Sequence, residues 1–343
     1  MLQSIKSWKS ISLRASALAC AGLIAFCAVP HKAEAQSKVT LRIGHDTIED
    51  YQDAVVRFYK EEVERESGGR IQVQIFPANQ LGSNSSMNQQ VRDGALQGII
   101  QPSAFLTPIA KILGVLDLPF LFPNESVQTA VLNSPAADVL NEALRKEGYE
   151  PVAWMTGGFK HFNTTFPVTK ADDFKGRIYR TMTSPILVKQ YQSWGSTVTA
   201  MSFSEVYMGL QQKTIEGHEN PADATYGRKL HEVAKYFTIS DHGALATVLT
   251  LSSRWLDGLD PELQEILKKA GRASAEKSKD LAKPFQDHAI EAMAKEGAMI
   301  TKLPEEERTI LRERAQPAWD LIETDPAMGP ALKGLQAEIA KHN

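Results

Sequence analysis

Hydrophobic positions pick out three stretches near the start of the chain. Val39, Leu41 and Ile43 form one alternating run and Ile71, Val73 and Ile75 a second, while the third, Gln97 to Gln101, is a short unbroken apolar run that reads as a buried strand. Period-two alternation is the signature of a half-buried strand. Between these runs the spacing changes. Asp50 to Arg65 repeats its apolar residues at helical intervals and stops at Ser67-Gly68-Gly69, and a second helix is expected near Ser85 to Arg92. Strand, helix, strand, helix, strand predicts an open, mostly parallel sheet.

The same grammar returns after residue 170. Asp172-Asp173-Phe174-Lys175-Gly176 predicts a short turn-helix before a strand at Ile178. Ser184-Pro185 places a cap residue before proline at the first helical position, opening a helix to Trp194. Val198 marks another strand, and Ser202 with Glu205 three residues on makes a capping box. Between the two blocks, Leu116 to Pro123 reads as a rigid apolar crossing segment and Ser126 to Lys146 as one helix. Asp260-Pro261-Glu262 opens a very long amphipathic helix reaching toward Glu296, with Pro284 inside it to kink it. A helix of that length can run across two lobes.

The first 35 residues carry a different pattern. Lys6, Lys9 and Arg14 precede the apolar run Ala15 to Val29, and Ala33-Glu34-Ala35 supplies a small-residue cleavage site. This predicts a signal peptide over 1–35 and a mature start at Gln36. Both cysteines, Cys20 and Cys27, fall within that segment. The mature chain then has no disulfide, thiol nucleophile or cysteine metal site, which suits a bacterial periplasm.

Composition adds an exclusion. Removing a leader with four Lys/Arg and one acid leaves 34 basic residues against 40 acidic, a net charge of −6. That excess argues against a nucleic-acid partner. The sequence holds no G-x-S-x-G, H-E-x-x-H, phosphate-binding loop or dinucleotide fingerprint. No cofactor is expected. An enzyme using His161 or His218 with a nearby acid is the competing class, and a sensor subunit is a third.

The remaining candidate chemistry is a layout for gripping an anion: Arg177 and Arg180 on one short strand, the capped helix at Ser202, and the loop Glu216-Gly217-His218-Glu219-Asn220-Pro221. Together with Gln80-Leu81-Gly82, Leu116-Asp117-Leu118-Pro119-Phe120, Lys175-Gly176 ahead of Arg180, and Phe203-Ser204-Glu205-Val206-Tyr207, these residues make the chain resemble a known family. It is the solute-binding proteins of tripartite ATP-independent periplasmic (TRAP) transporters, the dicarboxylate-binding DctP type. The resemblance implies an α/β, two-lobed periplasmic binding protein with a long kinked helix spanning both lobes. It places lobe I at 36–160 with 246–285 and lobe II at 161–245 with 286–343. It implies a periplasmic protein, not an enzyme, that binds a small carboxylate and delivers it to a TRAP membrane permease. It assigns the ligand carboxylate to Arg180, an amide contact to Asn220, an aromatic contact to Phe203 and far-end contacts to Asp46 and Ser83. Phe105 and Phe166 stand where sugar-acid binders carry polar residues, and Pro102 where an acid can sit. The expected ligand is therefore an aromatic or apolar monocarboxylate, with a C4-dicarboxylate or sugar acid as the alternative. Arg177 is expected on solvated surface.

Overall fold

The computed structural model describes residues 38–342; the leader and its cleavage site lie outside them. Nine strands form one sheet among the described residues, in the order β2-β1-β3-β8-β4-β7-β5-β6, with β9 added beside β8. The strands are β1 (Val39–His45), β2 (Ile71–Phe76), β3 (Gly98–Pro102), β4 (Tyr149–Thr164), β5 (Ile178–Thr181), β6 (Thr197–Ala200), β7 (Gly217–Asn220), β8 (Tyr236–Ser252) and β9 (Met299–Lys302).

Each end of this sheet is parallel, as the strand-helix alternation predicts. β1 pairs in parallel with β2 and β3, and β5 with β6 and β7. The centre is not parallel. β4 and β8 run antiparallel to each other along their length, with β3 antiparallel on β8 and β7 antiparallel on β4. These two strands, 16 and 17 residues long, are the real crossings between the wings. The Leu116 to Pro123 segment is not one. It begins inside a 3-10 turn over Lys111–Asp117, and Leu116, Leu118, Leu121 and Phe122 sink into the largest apolar core cluster. Burial of its leucines, rather than pairing, fixes that segment.

The helices follow their local signals closely. Asp50 caps Tyr51–Glu66 by accepting from the Asp53 N–H. Glu205 accepts from the Ser202 N–H at 3.0 Å, one of the two bonds of the capping box, while the Ser202 hydroxyl bonds elsewhere. The helix expected from Ser126 to Lys146 is broken into Glu125–Leu132 and Asp138–Lys146, with Pro135 between them. The long helix spans Pro261–Lys295 and contains Pro284. Its first half buries Leu263, Leu267 and Ala270 against Val55, Val56 and Tyr59 of Tyr51–Glu66. Its second half buries Ala289 and Met293 against Ala222 and Phe237. The helix therefore joins the two wings on one side of the sheet.

Candidate functional site

Four strands end at one place. β1 runs into Asp46 and Thr47, β3 into Phe105, β5 carries Arg180 near its end, and β7 ends at Asn220. In open α/β sheets, ligands bind outside the carboxyl ends of the strands. Here two sets of such ends, one from each wing, line a single narrow cleft together with Asp50, Tyr51, Gln52, Phe203 and Asp223. The cleft is narrow: its space, open mouth included, is about 360 Å³. A wider depression of about 1310 Å³ lies between Phe120 and Trp319, but it is open and brings no unpartnered buried donors together.

Arg180 is fully buried. Its Nε and Nη2 donate to the Met201 carbonyl, at 3.2 and 2.8 Å, while Nη1 is buried without a partner. Burial pulls the guanidinium down to about 10, although Glu219, Asp46 and Glu205 pull the other way. Asn220 likewise holds a buried, unpartnered Nδ2. Its orientation is set from behind. Successive strand residues face opposite ways, and Glu219 is anchored in the interior by Lys160 Nζ at 2.7 Å, His242 Nε2 at 2.7 Å and Tyr191 Oη at 2.8 Å. Two unpartnered donors in one cleft suit the two oxygens of a carboxylate, because a buried donor left unpaired is costly.

Aromatic rings flank the arginine. Its guanidinium carbon lies 5.8 Å from the Phe105 ring centre and 5.7 Å from that of Phe203. Arg228 approaches Phe203 too, at 5.5 Å. Arg228 donates to the Asp46 carbonyl at 3.4 Å, and burial lowers its guanidinium despite Asp46 and Asp50 nearby.

Asp46 is held by neutral amides: Gln52 Nε2 donates to Oδ1 at 3.0 Å and Asn84 Nδ2 to Oδ2 at 2.9 Å. Asn84 also reaches across to the other wing. Its Oδ1 accepts from Ser202 Oγ at 2.8 Å and from the Phe203 N–H at 3.3 Å.

Of the residues singled out from sequence, Arg180, Asn220, Phe203, Asp46 and Phe105 come together in this cleft, as does Pro102. Ser83 and Phe166 do not line it. Ser83 caps the helix Asn84–Arg92, accepting from the Ser86 N–H at 3.2 Å. Its neighbour Asn84 is the side chain that bonds to Asp46. Phe166 packs with Val168, Phe174 and Tyr179, and Arg177 lies 4.2 Å over its ring. Arg177 pairs with Glu216 at 2.9 Å and is 42% exposed.

The cleft also contains residues that the sequence reading passed over as ligand contacts: Asp50, Tyr51, Gln52, Met182, Asp223 and Leu245. Asp50 lies at a helix start, which accounts for an acid there without any ligand. His161 and His218, the candidates for an enzyme, are outside the cleft; burial holds both down to about 3. Among the described residues no group of three or more His, Cys, Asp or Glu is placed to hold a metal. No helix among them is long and apolar enough to cross a membrane.

Comparison with known proteins agrees with this arrangement. Residues 47–325 match the family model described as "Bacterial extracellular solute-binding protein, family 7". The ectoine/5-hydroxyectoine-binding periplasmic protein UehA of Ruegeria pomeroyi is 28% identical over 97% of this chain and 98% of its own length. A TRAP periplasmic solute-binding protein of Desulfovibrio salexigens, solved with bound orotic acid, superposes with a TM-score of 0.84 at 27% identity, covering 89% of this chain and 99% of that one. Another from Xanthobacter autotrophicus, with bound β-D-galacturonate, gives 0.82 at 28% identity, over 87% and 99%. The matched span takes in every strand end that lines the cleft except the last residues of β1, and on that ground the chain belongs to bacterial extracellular solute-binding protein family 7, the solute-binding proteins of TRAP transporters.

Proposed function

We propose that this protein binds a small organic monocarboxylate with a flat, largely apolar body in the periplasm and hands it, chemically unchanged, to a TRAP membrane permease. The observation that carries this is the pair of buried, unpartnered donors, Arg180 Nη1 and Asn220 Nδ2, in a narrow cleft whose walls include Phe105 and Phe203. The donors suit a carboxylate, and a slot between rings suits a flat ring. The bound orotic acid of the Desulfovibrio salexigens relative, itself a planar ring acid, favours the same reading. The proposed lobes are 36–160 with 246–285 and 161–245 with 286–343.

The alternatives fit less well. A second carboxylate, as in a C4-dicarboxylate, would meet Asp46, Asp50 and Asp223 in the same cleft. A sugar acid would set its hydroxyls against Asp46, Asp50, Tyr51 and Asp223, but its puckered, hydroxylated ring would cover the Phe105 and Phe203 faces less fully than a flat ring.

A thermal-shift screen with benzoate, orotate, succinate, malate and galacturonate tests the proposal, since a ligand bound only to the folded state raises its melting temperature. The ring monocarboxylates should give the largest shifts, and the recovered acid should be unaltered. A dominant response to succinate or galacturonate would overturn the flat-monocarboxylate reading, and turnover of the acid would overturn the binding-protein reading.

A further inference from the structure

The carboxylate clamp occupies only part of the cleft. Three acidic side chains line it as well, and Asp46, Asp50 and Asp223 are all buried. Every hydrogen-bond partner that their carboxylates have is neutral. Asp46 is held by the Gln52 and Asn84 amides. Asp223 accepts from the backbone N–H of Tyr51 at 3.1 Å and of Ala224 at 2.9 Å, and from Gln286. Asp50 accepts only through Oδ1, from Thr47 Oγ1 and the Asp53 N–H, each at 3.0 Å. Its Oδ2 takes no bond. The hydroxyl of Tyr51, in the same wall, is buried and unpartnered. The nearest cations do not neutralise the group: Arg228 donates to the carbonyl of Asp46 rather than to a carboxylate, and Arg180 donates to Met201.

We propose that the ligand is a cyclic zwitterion, with its carboxylate against Arg180 and Asn220 and a protonated ring nitrogen against Asp50 and Asp223. This rests on the carboxylate reading of Arg180 and Asn220 given above. The charge balance is the main argument. Two guanidiniums, Arg180 and Arg228, stand near three acidic side chains, and neither bonds to any of those carboxyl groups. A plain monoanion would add a further negative charge to a site shielded from water, where like charges repel strongly. A zwitterion adds none and brings each charge to its opposite. Burial, then Asp223, raises the Asp50 carboxyl well above its ordinary value, and burial raises Asp223 to about 6. A ligand cation supplies the counter-charge that both lack. A ring N–H also gives Asp50 Oδ2 the donor it is missing. The ring itself still lies between Phe105 and Phe203, so this narrows the flat-body reading without replacing it.

The test uses probes matched in shape. Cyclohexanecarboxylate and piperidine-4-carboxylate share a ring and a carboxylate, and differ by a protonated nitrogen in place of a methylene. Benzoate and ectoine make a looser second pair. Calorimetry on the purified protein at neutral pH should give each zwitterion about 10- to 100-fold tighter binding than its partner, the value of a hydrogen bond to a charged group. Asp50→Asn keeps an oxygen to cap the helix but removes the charge, and Asp50→Ser keeps a capping hydroxyl. In both variants the ratio within each pair should collapse toward one, with the fold checked by circular dichroism. Equal affinities within the pairs, a ratio unchanged in both variants, or zwitterions that fail to bind would each overturn the proposal. If benzoate or cyclohexanecarboxylate then still binds in a manner lost in Arg180→Ala, the carboxylate clamp stands. If no acid binds with that dependence, the clamp itself falls.

Discussion

Arg180 spends two of its three nitrogens on one acceptor, the carbonyl of Met201, and keeps the third, Nη1, buried and unpaired. The guanidinium is thereby fixed in direction before any ligand arrives. A planar fork held this way loses little freedom on binding.

Truncating Arg180 should therefore be severe. Removing one member of a buried charge pair costs about 2–5 kcal/mol, which is roughly 30- to several-thousand-fold in Kd. Arg180→Ala should lose that much affinity for the best acid found in the screen. Arg180→Lys should also bind poorly, because an ammonium cannot replace the fork. Arg177→Ala, which gives up a surface pair with Glu216, should change little. Calorimetry on the three variants decides, and equal losses at Arg177 and Arg180 would count against the clamp.

Asn84 joins the wings through Asp46 on one side and Ser202 and Phe203 on the other. Asn84→Ala leaves these buried groups unpaired, at about 1–3 kcal/mol for each group stranded. Stopped-flow release of ligand should become faster by about tenfold or more, with association changed less. An unaltered release rate would show that these bonds do not hold the cleft shut.

Phe203→Ala should discriminate by ligand shape. A ring stacked on Phe203 contributes about 0.5–1.5 kcal/mol beyond area burial, so a ring acid should lose more affinity than acetate or propionate. Equal losses for ring and chain acids, measured by titration, would remove the stacking contribution.

Ser83 gives a prediction of the opposite kind. Its hydroxyl caps Asn84–Arg92. Ser83→Ala should cost about 0.5–2 kcal/mol of stability, read by urea denaturation, and leave affinity nearly unchanged.

Acid stability follows from buried groups of opposing sign. Burial would raise Glu219, but Lys160 and His242 more than offset it and hold the carboxyl below the usual range. The contribution of such a group is complete above its unfolded value, about 4.3, and is lost as pH falls through the folded one. His161 and His218 act in the same direction. Burial holds them at about 3, so their contribution is complete above about 6.5 and is lost on acidification toward the folded value. Asp117 and Asp223 oppose this. Burial raises both to about 6, so the folded state keeps their protons between about 4 and 6 and gains stability as pH falls there. Asp50, raised by burial, acts with them, so the opposing groups offset one another in that window and the loss should become marked below about pH 4, where Glu219 also takes up its proton. Urea melts across pH 3 to 7 check this. Glu219→Gln should cost about 3–5 kcal/mol at pH 7, because it breaks a buried pair, and should flatten the fall below pH 4.

What the sequence made legible was local. The β1 and β2 alternations, the Glu205 half of the Ser202–Glu205 box and the opening of the long helix at Asp260-Pro261 are each set by neighbours within a few positions, and the structure has them in place. The crossing strands were not legible. Pairing of β4 with β8 joins residues from Tyr149 with Ser252 to Thr164 with Tyr236, far apart in the chain, and both strands are buried on both faces, so they show no alternation. The same limit applies in the site. Arg180 and Asn220 stand on short strands with clear local marks. Phe166 lies just past the end of β4, where no local mark fixes which side chain faces the cleft, and it packs elsewhere. Ser83 caps a helix, and its neighbour Asn84 is the one that holds Asp46 from behind. Asp50 and Asp223 serve as helix-start acceptors, a local role that conceals any second one.

Gln286 sits two residues beyond Pro284, and its side chain holds the Ala222 N–H and the carboxylate of Asp223. The long helix is thus fastened to a wall of the cleft and, by its other half, to the opposite wing. Together with β4 and β8 it leaves neither wing a self-contained stretch of chain. The protein should melt in a single calorimetric transition despite having two lobes, with enthalpy matching its van't Hoff value. Neither half, expressed alone, should fold, and proteolysis should find no site that releases one lobe intact. Evolution of new ligand preference in such a molecule has to proceed by changing side chains in place, because the recognition surface cannot be exchanged as a module.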